Sequence, residues 1–302
     1  MQIAETRLSA SGWDACLAAA GVPLQQSWHY GQAVASLGVR VRRFEIAAGG
    51  QRGFAQVVTR RGGPLDLTVL HRGPVWEGPV AADLARAALR GLARRTKGAF
   101  IITPLESPAG WGLVPLIAPR TEAVIDLSPD LPSLRAGLHG KWRNRLVRAE
   151  TSGLSVSTCR PGFRDLGPLI AHEAEQRQSR RYGGLPPAFL RAWTQVAPDN
   201  CLLVQTTDRM GLVAAMLFLN HGRAATYQLG WTSERGRHAH AHNALLWSAI
   251  TQLRARGIAS LNLGAIDTNR NPGLARFKLG TGAAARTLGP TCLVVPAILP
   301  RW

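Results

Sequence analysis

The sequence predicts an α/β protein built from two similar domains, each a mixed sheet flanked by helices. The chain has 302 residues, which is enough for two domains of roughly 150 residues each. Its apolar content of 46% can supply a buried core. The order of helical and strand patterns in the first half returns in the second half, as expected for a domain duplication. We place the first domain at residues 1–127 and the second at residues 128–302.

The first half reads as a helix, three strands, a helix and a strand. The amphipathic stretch at residues 28–37 is followed by VRRFEIAAGGQRGFAQVVTR, in which two strand patterns surround a Gly-Gly turn. The third strand is LDLTVLHRGPVW. The stretch AADLARAALRGLARRTKG has helical periodicity and ends in glycine, the residue type that commonly follows a helix. The apolar segment GAFIITP then predicts a closing strand.

The second half follows the same order. Two helical stretches, at residues 163–180 and 187–197, precede NCLLVQTTDRMGLVAAMLFLNHGRAATYQLGWTS. This segment predicts three strands joined by Asp-Arg and His-Gly turns. HNALLWSAITQLRARG is again a helical pattern that ends in glycine, and IASLNLGA is again a strand. The repeated order favours two copies of one architecture.

The net charge is unusual for a globular protein. Lysine and arginine total 36 and aspartate and glutamate total 18, so the formal charge is +18. A field of this sign concentrates polyanions such as nucleic acid, anionic lipid or phosphorylated small molecules. A basic surface that is simply hydrated is the alternative, because net charge governs steering and not fold.

The cysteines and the apolar runs indicate the compartment. The four cysteines lie far apart and form no C-x-x-C pair, which favours free thiols in a reducing environment. The N-terminal segment does not resemble a secretory signal, and no apolar run is long enough to span a membrane. We therefore expect a cytoplasmic protein without a transmembrane segment.

The densest basic element is LHGKWRNRLVRAETSG, residues 138–153, which we interpret as a basic linker helix between the domains. Helical spacing places Lys141, Arg145 and Arg148 on one face, with Arg143 close by in sequence. Because arginine binds phosphate oxygens in a bidentate manner, these four residues are candidates for tRNA or substrate binding. An ordinary hydrated helix surface is the alternative interpretation.

Three histidines alternate in RGRHAHAHN, residues 235–243. An extended chain would point all three in one direction, as in some metal sites, but the segment lacks an acidic ligand and leads directly into a helix. We therefore expect no metal. The alternative is an anion or ribose contact at the N-terminus of the predicted helix 242–256, where free N–H groups favour negative charge. His240, His242 and Asn243 are the candidates.

The segment LNLGAIDTNRNPGLARFKLGTG, residues 261–282, reads as a strand, a polar loop and a short helical turn. Ligand groups in α/β sheets commonly lie at strand ends, which makes Asp267 a candidate, although aspartate also forms turns. Arg276 is a candidate substrate-binding cation, and Phe277 is either a site residue or a core residue. Lys278 is one of only three lysines, with Lys97 and Lys141, in a chain that otherwise uses arginine.

The choice of lysine at position 278 and the two glycines that follow it indicate a catalytic site. Lysine is a compact charge on a flexible stem, so it is not equivalent to the arginines used elsewhere. Gly280 and Gly282 have no side chain, and the backbone there can approach a ligand closely. We expect Lys278 to be catalytic, together with Phe277 and Asp267.

The chain resembles the Fem peptidyltransferase family, which is built from two GNAT-like domains, and related acyltransferases of the same superfamily. The resemblance is carried by several segments in the same order: LQQSWHYGQAVASLG, GFAQVVTR, LHRGPVW, AVIDLSPDLPSLRAGLHGKWRNRLVRAETSGLSV, HNALLWSAITQLRARGIASLNLGA and GLARFKLGTG. It implies tandem GNAT-like domains and transfer of an aminoacyl group from aminoacyl-tRNA to an amine, typically on a peptidoglycan-precursor peptide. The resemblance also implies that Phe277-Lys278 corresponds to the family's Phe-Lys pair near the reacting ester. No coiled-coil arm, which some members carry, is present in the sequence.

Two other functions remain open from the sequence. One is an acyl-CoA-dependent N-acyltransferase, although RGRHAHAHNALL lacks the glycines of the pyrophosphate-binding loop that GNAT enzymes place before a helix. The other is a basic nucleic-acid-binding module without catalysis. The Fem-type function requires aminoacyl-tRNA as the donor and no separate cofactor, whereas the N-acyltransferase requires acyl-CoA.

Overall fold

The chain divides into two compact units in a computed structural model. The structure describes residues 1–17, 22–63, 65–106, 110, 112–180 and 183–295. One unit comprises Met1–Thr121 and the chain from Thr287 onward, and the other comprises Glu122–Arg286. The first change between units lies between residues 121 and 122, six residues before the boundary that we placed between residues 127 and 128. The end of the chain, however, was assigned to the second domain from the sequence and groups with the first unit.

The first unit contains a mixed sheet and three helices in its described residues. The helices are α1 (Ala10–Leu17), α2 (Trp28–Ala35) and α3 (Ala82–Arg94). The strands are β1 (Gln2–Glu5), β2 (Arg40–Ala48), β3 (Gln51–Gly62), β4 (Leu65–His71), β5 (Val75–Trp76), β6 (Ala99–Thr103), β7 (Leu113–Ile117) and β15 (Thr291–Val294). Their order in the sheet is β1-β2-β3-β4-β6-β15-β7, and β5 pairs with β3.

The pairing of β15 explains why the end of the chain belongs to this unit. β15 lies between β6 and β7 and is antiparallel to both. β4 and β6 are parallel, so the sheet is mixed as predicted. Helix α3 connects them and buries Leu89 and Leu92 in a core that also contains Phe44 and Phe100. The apolar residues of α3 recur at helical spacing, which is why one face packs on the sheet.

The second unit contains the other mixed sheet. Its helices are α4 (Leu131–Ala136), α5 (Gly140–Glu150), α6 (Gly167–Arg180), α7 (Pro187–Val196), α8 (Glu234–His238), α9 (Ala241–Ala255) and α10 (Pro272–Leu279). Its strands are β8 (Thr121–Asp126), β9 (Val156–Cys159), β10 (Cys201–Asp208), β11 (Gly211–His221), β12 (Ala224–Thr232), β13 (Ser260–Ile266) and β14 (Ala284–Thr287). The order is β14-β8-β13-β12-β11-β10-β9.

The predicted repeat is confirmed. The first unit follows the order α2, β2, β3, β4, α3, β6, and the second follows α7, β10, β11, β12, α9, β13. Both sheets combine antiparallel hairpins with a parallel pair that a helix connects. None of the helices in the described ranges is both long and apolar enough to cross a membrane.

The parallel pair of the second unit separates along its length. β12 and β13 pair only over Ala224–Thr226 and Ser260–Asn262. Both strands, which are described throughout, continue to Thr232 and Ile266 without further pairing to each other. The separation leaves unpaired backbone between two neighbouring strands, and such groups are available to a ligand.

Helix α5 is an integral part of the second unit and not a linker. Its apolar stripe, Trp142, Leu146 and Ala149, is buried, and Trp142 and Leu146 belong to the core of this unit. The predicted 3.6-residue periodicity therefore describes the helix correctly, but its packing partner is α9 of the same unit. The basic side chains of α5 lie on the face away from this core.

Candidate functional site

Lys278 lies on α10, directly after the separated strands. Asn271 caps this helix by accepting a hydrogen bond from the Leu274 N–H (3.3 Å), and Pro272 occupies the first turn. The Lys278 side chain is only 6% exposed. Its Nζ donates to the carbonyl oxygen of Ala265 on β13 over 2.8 Å. The ammonium therefore lies at the end of β13 where that strand has left β12.

Burial changes the acidity of this lysine. Burial lowers the pKa of Lys278 to about 8, and the nearby Glu122 carboxylate acts in the opposite direction. An amine with this pKa is mostly protonated at neutral pH, but it releases its proton far more readily than an exposed lysine does. Lys278 can therefore both donate a hydrogen bond to an oxyanion and deliver a proton.

Phe277 links Lys278 to the surrounding aromatic side chains. Its partly buried ring lies 6.1 Å from the Trp142 ring and 6.2 Å from the His242 ring, measured between centroids. Trp142 Nε1 donates to the Phe277 carbonyl oxygen over 3.0 Å, which fixes the end of α10 against α5. Core packing thus explains why the Phe277 ring is partly buried. Its stacking on a base remains a prediction.

The glycines after Lys278 have a structural use. A Cβ at Gly280 would lie 2.8 Å from Cδ1 of Trp142, and one at Gly282 would lie 3.0 Å from the Gly137 carbonyl oxygen. Gly282 also has φ +82°, a conformation that favours glycine. The backbone at Gly280 and Gly282 therefore lies close to the α4–α5 segment in this structure, where the sequence suggested a close approach to a ligand.

His242 has a defined tautomer. Its Nε2 lies 3.0 Å from the carbonyl oxygen of Trp231, and because a carbonyl can only accept, Nε2 must carry the proton. Burial lowers the pKa of His242, an effect that this hydrogen bond partly offsets. The ring is therefore neutral near pH 7 and keeps a lone pair on Nδ1. The sequence placed His242 among the ligand contacts but did not indicate that it could act as a base.

The N-terminus of α9 combines several donors. His240 precedes the helix in a left-handed conformation with φ 52°. Asn243 in the first turn is 5% exposed, and its Nδ2 has no hydrogen-bond partner within the described part of the chain. A buried amide donor in the first turn of a helix suits a phosphate or hydroxyl oxygen. The three histidines do not share a face, because His238 ends α8 whereas His242 begins α9.

The basic residues of α5 extend this positive region. Burial lowers the pKa of His240, and the charges of Arg145 and Arg148 lower it further, which shows that α5 lies near the start of α9. Lys141, Arg145 and Arg148 are exposed on α5. These three side chains can therefore reach a polyanion in solution.

Arg143 differs from the other three. Its Nη2 donates to the carbonyl oxygens of Ala136 (2.7 Å) and Leu138 (2.9 Å) at the end of α4. These contacts satisfy carbonyls that a helix end leaves without partners. Its guanidinium is thus engaged by the protein, and the phosphate contact predicted for it has no support from this geometry.

We expect Arg143→Gln to lower the free energy of unfolding by about 1–3 kcal/mol, because charge-assisted hydrogen bonds at a helix end are lost. Chemical denaturation of the purified chain measures this difference. The matched control is Arg145→Gln on the same helix, which should change stability by less than about 0.5 kcal/mol because the side chain is exposed. Equal stability of the two variants would contradict the assignment of Arg143 to the end of α4.

Asp267 and Arg276 lie on the exposed side of this region. Asp267 accepts hydrogen bonds from the N–H groups of Asn269 (3.0 Å) and Arg270 (2.8 Å). These bonds lower its pKa, so the carboxylate is ionised and forms the turn that the sequence offered as an alternative. Arg276 is exposed on α10. The catalytic role of Asp267 and the substrate-binding role of Arg276 stay predictions.

The first unit contains a cavity that the sequence did not indicate. It has a volume of about 230 Å³ and is mostly aliphatic, with Arg60 and His71 among its polar groups. The remaining lining residues are Tyr30, Val34, Val39, Val58, Leu67 and Val69. Burial lowers the pKa of His71 to about 4, so its imidazole is neutral at pH 7. The cavity lies on α2, β3 and β4, elements that are apolar on their inner faces.

Comparison with known proteins supports the fold. The model of the acetyltransferase (GNAT) domain family matches residues 138–282. The crystal structure of FemX superimposes with a TM-score of 0.77 at 14% identity and covers 98% of each chain. A tandem GNAT protein from the clavulanic acid biosynthesis pathway has a TM-score of 0.57 at 16% identity, covering 99% of this chain and 100% of that one.

A third structure extends the set. The C-terminal domain of a putative lysylphosphatidylglycerol synthetase from Agrobacterium fabrum has a TM-score of 0.56 at 15% identity, covering 95% of this chain and 92% of that one. No curated protein matches the sequence. At these identities the structures bear on fold, and the expected resemblance is confirmed at that level. Residues 138–282 therefore resemble an acetyltransferase (GNAT) domain, and the described chain shares the fold of FemX and of the tandem GNAT protein.

Proposed function

We propose that this protein is an acyltransferase that moves an aminoacyl group from aminoacyl-tRNA to an amine. The acceptor would be a peptidoglycan-precursor peptide or a small molecule. The observation that carries the proposal is Lys278, a buried ammonium that lies where two parallel strands separate. Because charged tRNA is the donor, we propose that the reaction takes place in the cytoplasm.

The chemistry requires stabilisation of negative charge. The acceptor nitrogen attacks the ester carbon, and the carbonyl oxygen becomes an oxyanion. The C–N bond forms, the bond between carbon and the ribose oxygen breaks, and one proton passes from nitrogen to the leaving oxygen. Lys278 can donate a hydrogen bond to the oxyanion or supply the proton to the leaving group. Its pKa of about 8 suits either task near neutral pH.

His242 is the best-placed base among the side chains that surround Phe277. Its ring lies 6.2 Å from that of Phe277, next to Lys278 in sequence, and its Nδ1 lone pair is available because Nε2 donates to Trp231. The lowered pKa keeps the imidazole neutral and able to accept a proton. We therefore assign proton removal from the attacking amine to His242, whereas position in the sequence alone suggested Asp267 or His240 as the base.

The donor must also be held. The exposed cations of α5 lie near the start of α9, where Asn243 offers its buried donor. Phosphates of the tRNA acceptor end suit the first group, and a ribose hydroxyl or phosphate oxygen suits the second. Stacking of the terminal adenine on Phe277 would add roughly 1–3 kcal/mol.

Acyl-CoA is the second candidate donor. It is supported by the match of residues 138–282 to the acetyltransferase (GNAT) domain model and by the donors at the start of α9. A thioester would present the same carbonyl carbon to the amine, with a thiol as the leaving group. The arrangement of Lys278 is compatible with both donors, whereas the chain's charge of +18 favours the polyanion.

Mass spectrometry of acceptor mixtures incubated with charged tRNA or acyl-CoA pools distinguishes the candidates. We expect a new amide product with charged tRNA and a tRNA affinity that falls steeply between low and moderate salt. A product formed only with acyl-CoA would replace the first proposal by the second. Tight tRNA binding without any product, over a broad acceptor set, would indicate a nucleic-acid-binding module instead.

A further inference from the structure

Glu122 is a buried carboxylate close to Lys278. It lies on β8, the neighbour of β13 in the second sheet, and is only 7% exposed. The Nδ2 of Asn262 on β13 donates to its Oε2 over 2.8 Å. A carboxylate this deeply buried is costly unless charge or hydrogen bonding compensates it. The Lys278 ammonium contributes opposite charge, since the Glu122 carboxylate acts to raise the pKa of that lysine.

Asn262 connects Glu122 to the backbone on which Lys278 rests. Its Oδ1 accepts a hydrogen bond from the Gly264 N–H over 2.6 Å. Gly264 has φ 78°, and the next residue, Ala265, accepts from Lys278 Nζ. A Cβ built on Gly264 would lie 3.7 Å from that Nζ. The carboxylate, the amide, the turn of β13 and the ammonium thus form one connected set of contacts.

Other charged groups near α10 are less suited to this role. Asp267 and Arg276 are exposed to solvent, which screens their charges. His242 on α9 is neutral near pH 7. The α5 cations Lys141, Arg145 and Arg148 are exposed, and Arg143 donates to carbonyls of the α4 end. Glu122 is therefore the buried counter-charge among these groups.

We propose that Glu122 is a positioning residue for Lys278, to which it supplies a buried counter-charge and which it holds in place through Asn262 and the Gly264–Ala265 backbone. The consequence for catalysis rests on the proposed function, since it requires Lys278 to donate to the reacting ester. The electrostatic coupling itself does not depend on any substrate. It can therefore be measured on the full chain alone.

The test is an NMR titration of lysine side chains. Because the sequence has only Lys97, Lys141 and Lys278, a chain labelled with ¹³C-lysine gives three sets of lysine signals. Lys97→Arg and Lys141→Arg variants assign them. We expect Glu122→Gln to lower the pKa of Lys278 by about one to three units, because an attractive buried charge is lost. An unchanged Lys278 titration in folded Glu122→Gln would overturn the proposal.

Matched variants separate charge from packing. Asp126→Asn removes an exposed carboxylate from the same strand and should leave the Lys278 titration unchanged. Glu122→Asp keeps the charge and should shift the pKa much less than Glu122→Gln; an equal drop would attribute the effect to packing and overturn the proposal. If Glu122→Gln alone does not fold, a second comparison covers that case. The double variant Glu122→Gln/Lys278→Met should melt at a higher temperature than Lys278→Met alone, because it removes the carboxylate that Lys278→Met leaves without its counter-charge. Equal melting temperatures of these two variants would overturn the coupling.

The two proposals fail in different ways. If the titration shows no coupling between Glu122 and Lys278, the positioning role of Glu122 is contradicted, and the transfer assay still tests the proposed function. Absence of any transfer product would leave the titration result standing. If both hold, Glu122→Gln should also move the upper limit of the pH–rate profile to lower pH, a shift that a purely structural role would not produce.

Discussion

Replacing Lys278 by methionine should lower kcat for transfer by about 10²–10³, the loss typical when one donor to a developing oxyanion is removed. Methionine has a similar length and suits the buried position, so the variant removes the charge with little change in volume. Single-turnover kinetics with a confirmed donor and acceptor measures the effect. KM for the donor should change little, because the interaction strengthens only in the transition state.

The pH dependence gives this prediction a second signature. Burial lowers the Lys278 pKa to about 8, so the protonated form is present below that pH and is lost as the pH rises through it. The rate of the wild-type enzyme should therefore fall above about pH 8 if the ammonium is required. Lys278→Met should lack this upper limit, while the exposed Lys97→Met variant should keep both the rate and the profile of the wild type. Near wild-type turnover in Lys278→Met would remove Lys278 from the mechanism.

The repeated architecture could be predicted from the sequence because it depends on local signals. Alternating and helical patterns predict strands and helices, and the order of these patterns repeats. Lys278 was recognisable by its residue type, since lysine is rare in this chain. The structure places its Nζ at the end of β13, and the catalytic role of Lys278 stays a prediction.

Partners that are distant in sequence could not be predicted. Glu122 and Asn262 are 140 residues apart and meet only because β8 and β13 are neighbours in the sheet. The pairing of β15 with β6 likewise depends on strand order, which the patterns do not specify. On α5, helical spacing identified the exposed face, but the hydrogen bonds of Arg143 to α4 depend on how the chain turns between the two helices.

Helix α5 also allows a test of tRNA binding by its electrostatics. The combined variant Lys141→Gln/Arg145→Gln/Arg148→Gln removes three exposed cations near the start of α9. If each contacts one phosphate, the slope of log K against log salt should become shallower by about two to three. The same relation predicts a loss of affinity of about 10²-fold near 0.1 M salt. Fluorescence anisotropy of labelled tRNA over a salt series measures both quantities.

A control must separate local contacts from the loss of net charge. Arg61→Gln/Arg94→Gln/Arg223→Gln removes the same number of exposed charges from other elements, and it should keep the wild-type salt slope within about one. Arg135→Gln tests a cation already paired with Glu150 and should bind tRNA as the wild type does. Equal losses in both triple variants would show that the field of the whole chain, with its charge of +18, and not the α5 face, holds the polyanion. The α5 face would then have no specific role in placing the tRNA end beside Lys278.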